Sequence, residues 1–233
     1  MDDWIEFARG PLFRIALTVC VLGIGFRIVT LVGQIAAAWR RAGDRRLPLG
    51  DLTAATASWL FPRRLWAKRP VYSSASFLFH IGLVVVPLFL AGHVALIAGG
   101  LPARWPILPE AVADGLTAIS LVAILALIGG RLGSASSRAL TRTGDLLILS
   151  LLFGLLLFGW WAANPAFSPF AARTMFLLHI LLGNLMLVLA PITKIAHCAI
   201  YPLTRLVFQL GWHFPAATGR HVAQALSKEG EPV

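Results

Sequence analysis

The chain has 233 residues, 58% of them hydrophobic and only 13% charged, with a mean hydropathy of +0.79. That composition excludes a soluble domain of this length and leaves an integral membrane protein. The net charge of +10 flanks apolar stretches instead of forming a soluble basic face with exposed aromatics, which excludes a nucleic-acid partner.

A span needs about 20 apolar residues to cross roughly 30 Å of hydrocarbon. Five stretches qualify, at about 11–38, 72–100, 111–130, 144–163 and 173–201. The predicted fold is all-α, a five-helix membrane bundle over residues 1–201 followed by a tail over 202–233. The first span follows the acidic start Met1-Asp2-Asp3 and outlasts the apolar core of a secretory signal, so it reads as a retained helix. The loop of about 40–71 carries Arg40, Arg41, Arg45, Arg46, Arg63, Arg64, Lys68 and Arg69. It mixes them with Trp59, Leu60, Phe61, Trp66 and prolines, more apolar surface than a plain linker needs, and is read as a docking surface.

Span two contains His80 and His93 with Pro87 between them, and the turn Leu101–Glu110 leads to span three. Arg131, Arg138 and Arg142 follow span three, and Trp160 and Trp161 close span four as interfacial belt residues. After the turn Asn164–Pro169, span five contains His179 and His197. In the tail, Leu203, Leu206, Val207 and Leu210 recur at helical spacing with Arg205 and Gln209 off the stripe, an amphipathic helix suited to a membrane surface or a docked protein. With Arg205, Arg220 and Lys228, the basic residues fall on one side of the membrane. The positive-inside rule places them in the cytoplasm, with the N-terminus outside and the C-terminus inside.

Imidazole seldom enters lipid without a role. Span two runs outward and span five inward, so the depths pair His80 with His197 on the inner side and His93 with His179 on the outer side. Eighteen residues in span five cover ~27 Å and five whole turns, which puts both ligands on one face of a continuous helix. Thirteen residues in span two cover ~20 Å but leave an ideal helix about 140° out of phase, and Pro87 is expected to kink the helix there. Two haems, each between two imidazoles, are the leading reading, because neutral imidazole is a good iron ligand. Hydrogen bonding between helices, a proton path, a histidine-containing transporter and a haem-free anchor for a peripheral enzyme are the alternatives. The transporter would need carboxylates or thiols along its path, and spans two and five contain no Asp or Glu. Cys20 and Cys198 form no CxxCH motif and are too few for an iron–sulfur cluster, so any haem is non-covalent. His213 and His221 lie in the polar tail and read as solvated.

The opening Phe7-Ala8-Arg9-Gly10-Pro11-Leu12, the segment Ser76-Phe77-Leu78-Phe79-His80, Ala91-Gly92-His93, Leu177-Leu178-His179-Ile180-Leu181 and Pro191-Ile192-Thr193-Lys194-Ile195-Ala196-His197 resemble the membrane cytochrome b subunits of the nitrate-reductase gamma superfamily. The branch of Dsr-, Tmc- and Hme-type redox complexes is the nearest likeness, and the turn from Trp105 to Asp114 also looks like that branch. The thirteen-residue spacing in span two exceeds that of the nitrate-reductase members. The resemblance implies a di-haem b electron carrier of a bacterial or archaeal inner membrane, exchanging electrons with quinone. It also implies a cytoplasmic iron–sulfur partner of the heterodisulfide-reductase-like kind, with further membrane or periplasmic redox subunits.

Anionic haem propionates want basic partners at the membrane boundary. Arg173 is placed for the outer haem and Lys194 or Arg27 for the inner one, with snorkelling to headgroups as the alternative, favoured for Arg27. Gly92 and Gly183 adjoin or neighbour ligands and could admit a porphyrin. Asp114, Glu110 and Arg104 are the ionisable groups near the outer turn that could exchange protons with quinol, and Trp161 is a further quinone candidate. No nucleophile–base constellation, phosphate loop or carboxylate pair suggests catalysis by this chain alone.

Overall fold

The computed structural model describes residues 1–41, 50, 53–54, 57–58, 63–97, 104–213 and 218–229. Arg45, Arg46, Trp59, Leu60 and Phe61 of the first loop and Leu101 of the outer turn lie outside the described residues, as do the side chains of Arg41, Arg64, Gln209, His213 and Arg220. Regular structure among the described residues is entirely helical: α1 (Asp2–Arg9), α2 (Pro11–Arg41), α3 (Arg63–Lys68), α4 (Pro70–Phe89), α5 (Ala91–Ile97), α6 (Glu110–Gly133), α7 (Ala135–Leu140), α8 (Thr143–Ala163), α9 (Ala172–Leu189), α10 (His197–His213) and α11 (Thr218–Ala225). Among the described residues, five helical runs are long and apolar enough to cross a membrane, namely Asp2–Arg40, Pro70–Phe89, Glu110–Gly133, Thr143–Ala163 and Ala172–Ile192. The shortest has 20 residues, and at 1.5 Å per residue it matches a hydrocarbon core of about 30 Å.

The described residues group into two compact units, Met1–Leu17 with Arg63–Leu187, and Thr18–Pro62 with Val188–Val233. In the first unit α4 and α6 pack antiparallel. Ala75, Phe79, Gly82 and Val86 of α4 are buried, as are Ala113, Thr117, Ser120, Ile124 and Leu127 of α6. Both sets follow three- and four-residue steps, the spacing of a single helix face. Small residues let the backbones approach, the usual solution where lipid removes the hydrophobic drive between helices. A Cβ on Gly82 would strike Ser120 Oγ and stand 3.0 Å from the Leu116 carbonyl. Tyr72 packs on Gly130, 3.4 Å from where its Cβ would be. The hydroxyls of Thr117 and Ser120 donate to the carbonyls of Ala113 and Leu116, so neither enters the core unpaired. Helices α8 and α9 also run antiparallel, with Gly154 facing Leu182 and Gly183 facing Leu155. At the N-terminus the buried Asn184 of α9 donates to the Ala8 carbonyl over 2.9 Å. Trp66, expected on a docking surface, turns back on α4, where its Nε1 donates to Ser74 Oγ over 3.0 Å and its ring meets Phe77.

The second unit shows how span five departs from the continuous helix expected. Pro191 has no N–H to continue the ladder. The α-helix stops at Leu189, two short 3-10 turns cover Ala190–Ile192 and Lys194–Ala196, and Thr193 between them is extended. The premise that His179 and His197 share one face of an unbroken helix therefore does not hold. Arg27, expected to snorkel, instead donates from Nη1 to the Pro191 carbonyl over 3.0 Å. Gly23, one turn earlier on α2, leaves the space that the Pro191 ring fills. Further along, Leu210 is 4% exposed and packs with Leu206 against Ile35 and Ala38 of α2. Part of the tail's apolar stripe is thus already covered within the chain.

Candidate metal-ligating histidine site

Span two is interrupted as well. Its helix stops at Phe89, Leu90 is extended with φ −72° and ψ 130°, and α5 restarts at Ala91. A helix that stops leaves its last carbonyls without intrahelical donors. Here the outer turn supplies them. Trp105 Nε1 donates to the Leu88 carbonyl over 2.7 Å and the Leu108 amide to the Phe89 carbonyl over 2.9 Å. The Trp105 ring also stacks on Phe89, with centroids 5.8 Å apart and planes 13° from parallel. His93 stands in the first turn of α5, and its Nδ1–H donates back across the break to the Val86 carbonyl over 3.3 Å.

His179 reaches the same place from α9. Its Nδ1–H donates to the Leu155 carbonyl of α8 over 2.9 Å, and the ring sits against Gly159, where an added Cβ would stand 2.7 Å from Nδ1 and 2.8 Å from Cε1. The two rings meet with centroids 5.8 Å apart, planes inclined by 36° and Nε2 atoms separated by 3.5 Å. A carbonyl can only accept, so each Nδ1 carries the ring hydrogen and each neutral ring points an unprotonated Nε2 at the other. Two facing lone pairs repel unless a cation lies between them. His93 and His179 would hold a metal ion through these two Nε2 atoms, 3.5 Å apart, and its positive charge would relieve that repulsion.

His80 belongs to the first unit and His197 to the second. The His80 Nδ1–H donates to the Ser76 carbonyl one turn earlier over 2.6 Å, and its ring meets the edge of Phe79. The His197 Nδ1–H donates to the Lys194 carbonyl, and its Nε2 stands 3.8 Å from the Cys198 thiol. All four histidines therefore share one arrangement, with Nδ1 held by a backbone carbonyl. His80, His197 and Cys198 carry ligand atoms of metal-binding type. A carbonyl on the far ring nitrogen is the usual orienting partner of a metal-bound histidine.

The other proposed residues are placed as follows. Arg173 pairs with Asp2 at 3.1 Å, both side chains about two-thirds exposed. Lys194 is exposed at the second 3-10 turn. Gly92 has open space where a Cβ would be, whereas Gly183 touches Leu155. Asp114 is half-buried in the second turn of α6, and Arg104 and Glu110 are exposed. Trp161 packs between Phe158 and Phe170, and Trp160 packs on Phe167. His221 is exposed. Gly159, the Leu155 carbonyl and the Trp105 indole were missed as parts of the site. The glycines singled out were neighbours of ligands in sequence, while Gly159 adjoins His179 across a helix pair. The one signal for it was a glycine one turn beyond Leu155 in a span made mostly of large apolar residues.

No family model matches the chain, and no solved structure matches it. A protein of Nitratidesulfovibrio vulgaris (strain Hildenborough) is 31% identical over 227 residues, which cover 91% of this chain and 94% of that protein. Similarity at that level along nearly the whole of both chains shows that this protein belongs to the same family as the Nitratidesulfovibrio vulgaris protein.

Proposed function

We propose that this chain is a di-haem cytochrome b membrane subunit that exchanges electrons between membrane quinone and a cytoplasmic iron–sulfur partner. The observation that carries this reading is that four histidines each have Nδ1 tied to a backbone carbonyl, the usual orienting partner of a metal-bound imidazole. His93 and His179 would hold the outer haem. His80 and His197, matched by depth in the sequence, would hold the inner one. Bound haem would supply reversible one-electron chemistry, which quinol, a two-electron donor, cannot pass on by itself.

The chain's own part is to hold the imidazoles neutral and oriented. Val86 and Leu155 fix the two outer rings through Nδ1, and Gly159 gives His179 room to lie against α8. Asp114 is the group proposed to exchange protons with quinone, with Arg104 and Trp161 as further candidate quinone contacts. The basic loops belong in the cytoplasm, with the N-terminus outside, in a bacterial or archaeal inner membrane. The resemblance to the Dsr-, Tmc- and Hme-type branch of the nitrate-reductase gamma superfamily supports the same assignment and supplies the partner's class.

The test is an oxidised-minus-reduced spectrum of the purified chain with a pyridine haemochrome count, repeated for H93A, H179A and H197A. The expected result is two b haems per chain, one and the same haem lost in H93A and H179A, and the other lost in H197A. A folded, colourless chain overturns the proposal.

A further inference from the structure

We infer that Trp105 is a positioning residue for His93, acting as a strap that fixes the break between α4 and α5. The inference rests on the haem reading only for the group that His93 serves; the strap itself stands on backbone geometry. Three contacts converge on two residues. The indole N–H holds the Leu88 carbonyl at 2.7 Å, the indole face stacks on Phe89 at 5.8 Å, and the Leu108 amide holds the Phe89 carbonyl at 2.9 Å.

These contacts lie immediately before the extended Leu90, and His93 is three residues further on. The local bonds of the restart come from the restart itself. The amides of His93 and Val94 both use the Leu90 carbonyl, at 3.0 and 2.9 Å. Nothing in those bonds fixes the angle at which α5 leaves α4. The strap fixes that angle, and with it whether the His93 Nε2 faces His179. Within hydrocarbon an unpaired carbonyl has no water to turn to, which favours the strapped arrangement over a loose one.

The test uses the full chain in lipid nanodiscs and the variant W105F, which keeps a ring for Phe89 but has no N–H for the Leu88 carbonyl. Amide hydrogen exchange is read over residues 88–94 and compared with α6 and α9. The outer haem, identified as the one that H93A removes, is followed by its midpoint potential and low-spin resonance. The expected result is roughly fivefold faster exchange confined to 88–94, the loss of one ordinary hydrogen bond, with a shift in the potential and resonance of the outer haem alone. Unchanged exchange and spectra overturn the inference. Equal acceleration in α6 and α9 also overturns it, since Trp105 would then be a general stability contact. A chain without haem sinks the functional reading, while the exchange pattern still decides the strap.

Discussion

Replacing Gly159 with alanine tests the seating of His179 most directly. The new Cβ would stand 2.7 Å from Nδ1 and 2.8 Å from Cε1, against an ordinary contact of 3.4 Å or more. The α8 backbone is the fixed side of this contact, so the imidazole must retreat by about 0.7 Å. The Leu155 carbonyl lies on the same helix one turn away, and the same retreat stretches the 2.9 Å bond to about 3.6 Å, beyond hydrogen-bond range. Overpacking and the lost bond together predict a destabilisation of about 1–3 kcal/mol, despite the roughly 1 kcal/mol by which alanine exceeds glycine in helix propensity. Five residues earlier, Gly154 is the control. Its Cβ would meet Leu182 at 3.4 Å and Phe158 at 3.7 Å, ordinary contacts. Thermal unfolding in detergent should therefore show G159A destabilised and G154A unchanged or improved; under the proposed di-haem function, G159A alone should also lose haem. Equal stability and equal haem content in the two variants would refute the seating of His179 against α8.

R27M removes the guanidinium that satisfies the Pro191 carbonyl and should destabilise the protein by about 1–3 kcal/mol; hydrogen exchange over Ala190–Ala196 should accelerate, and an unchanged rate there would count against the bond. R173Q breaks an ion pair whose partners are 71% and 67% exposed, so thermal unfolding should move by less than about 0.5 kcal/mol. D2N should match it, and a much larger loss in R173Q alone would show that Arg173 serves a second anionic group.

The spans were legible because apolar length is a property of composition, and each of the five stretches carries one long helix. Their internal geometry was not. Asn184 shows why, since a lone amide in span five gives no hint in sequence that it reaches the Ala8 carbonyl 176 positions away. Gly159 shows the same for the site. Its importance comes from the crossing of α8 and α9, which places His179 against it, and no local pattern encodes that crossing. The tail stripe was visible as a helix face, but periodicity cannot say what covers a face, and here Ile35 and Ala38 cover part of it.

The histidine-bearing spans share a design that counting residues along an ideal helix obscures. Pro87 lies between His80 and His93, and Pro191 lies between His179 and His197, so each span is interrupted between its two histidines. A phase of 140° over thirteen residues, or of five turns over eighteen, assumes one continuous winding from ligand to ligand. With a break in each span, each imidazole takes its direction from its own short segment and from the carbonyl that holds its Nδ1. The carbonyls of Ser76 and Lys194 lie within four residues of their histidines, and Val86 lies seven residues before His93 across the break. Of the four, His179 alone depends on a carbonyl from another span. The breaks in turn are held from outside the span, by Trp105 and Leu108 at one and by Arg27 at the other. Pro191 marks where span five yields, whereas span two runs helical through Pro87 and yields at Leu90; the side chains that hold the two breaks lie 17 positions from Leu88 and 164 from Pro191.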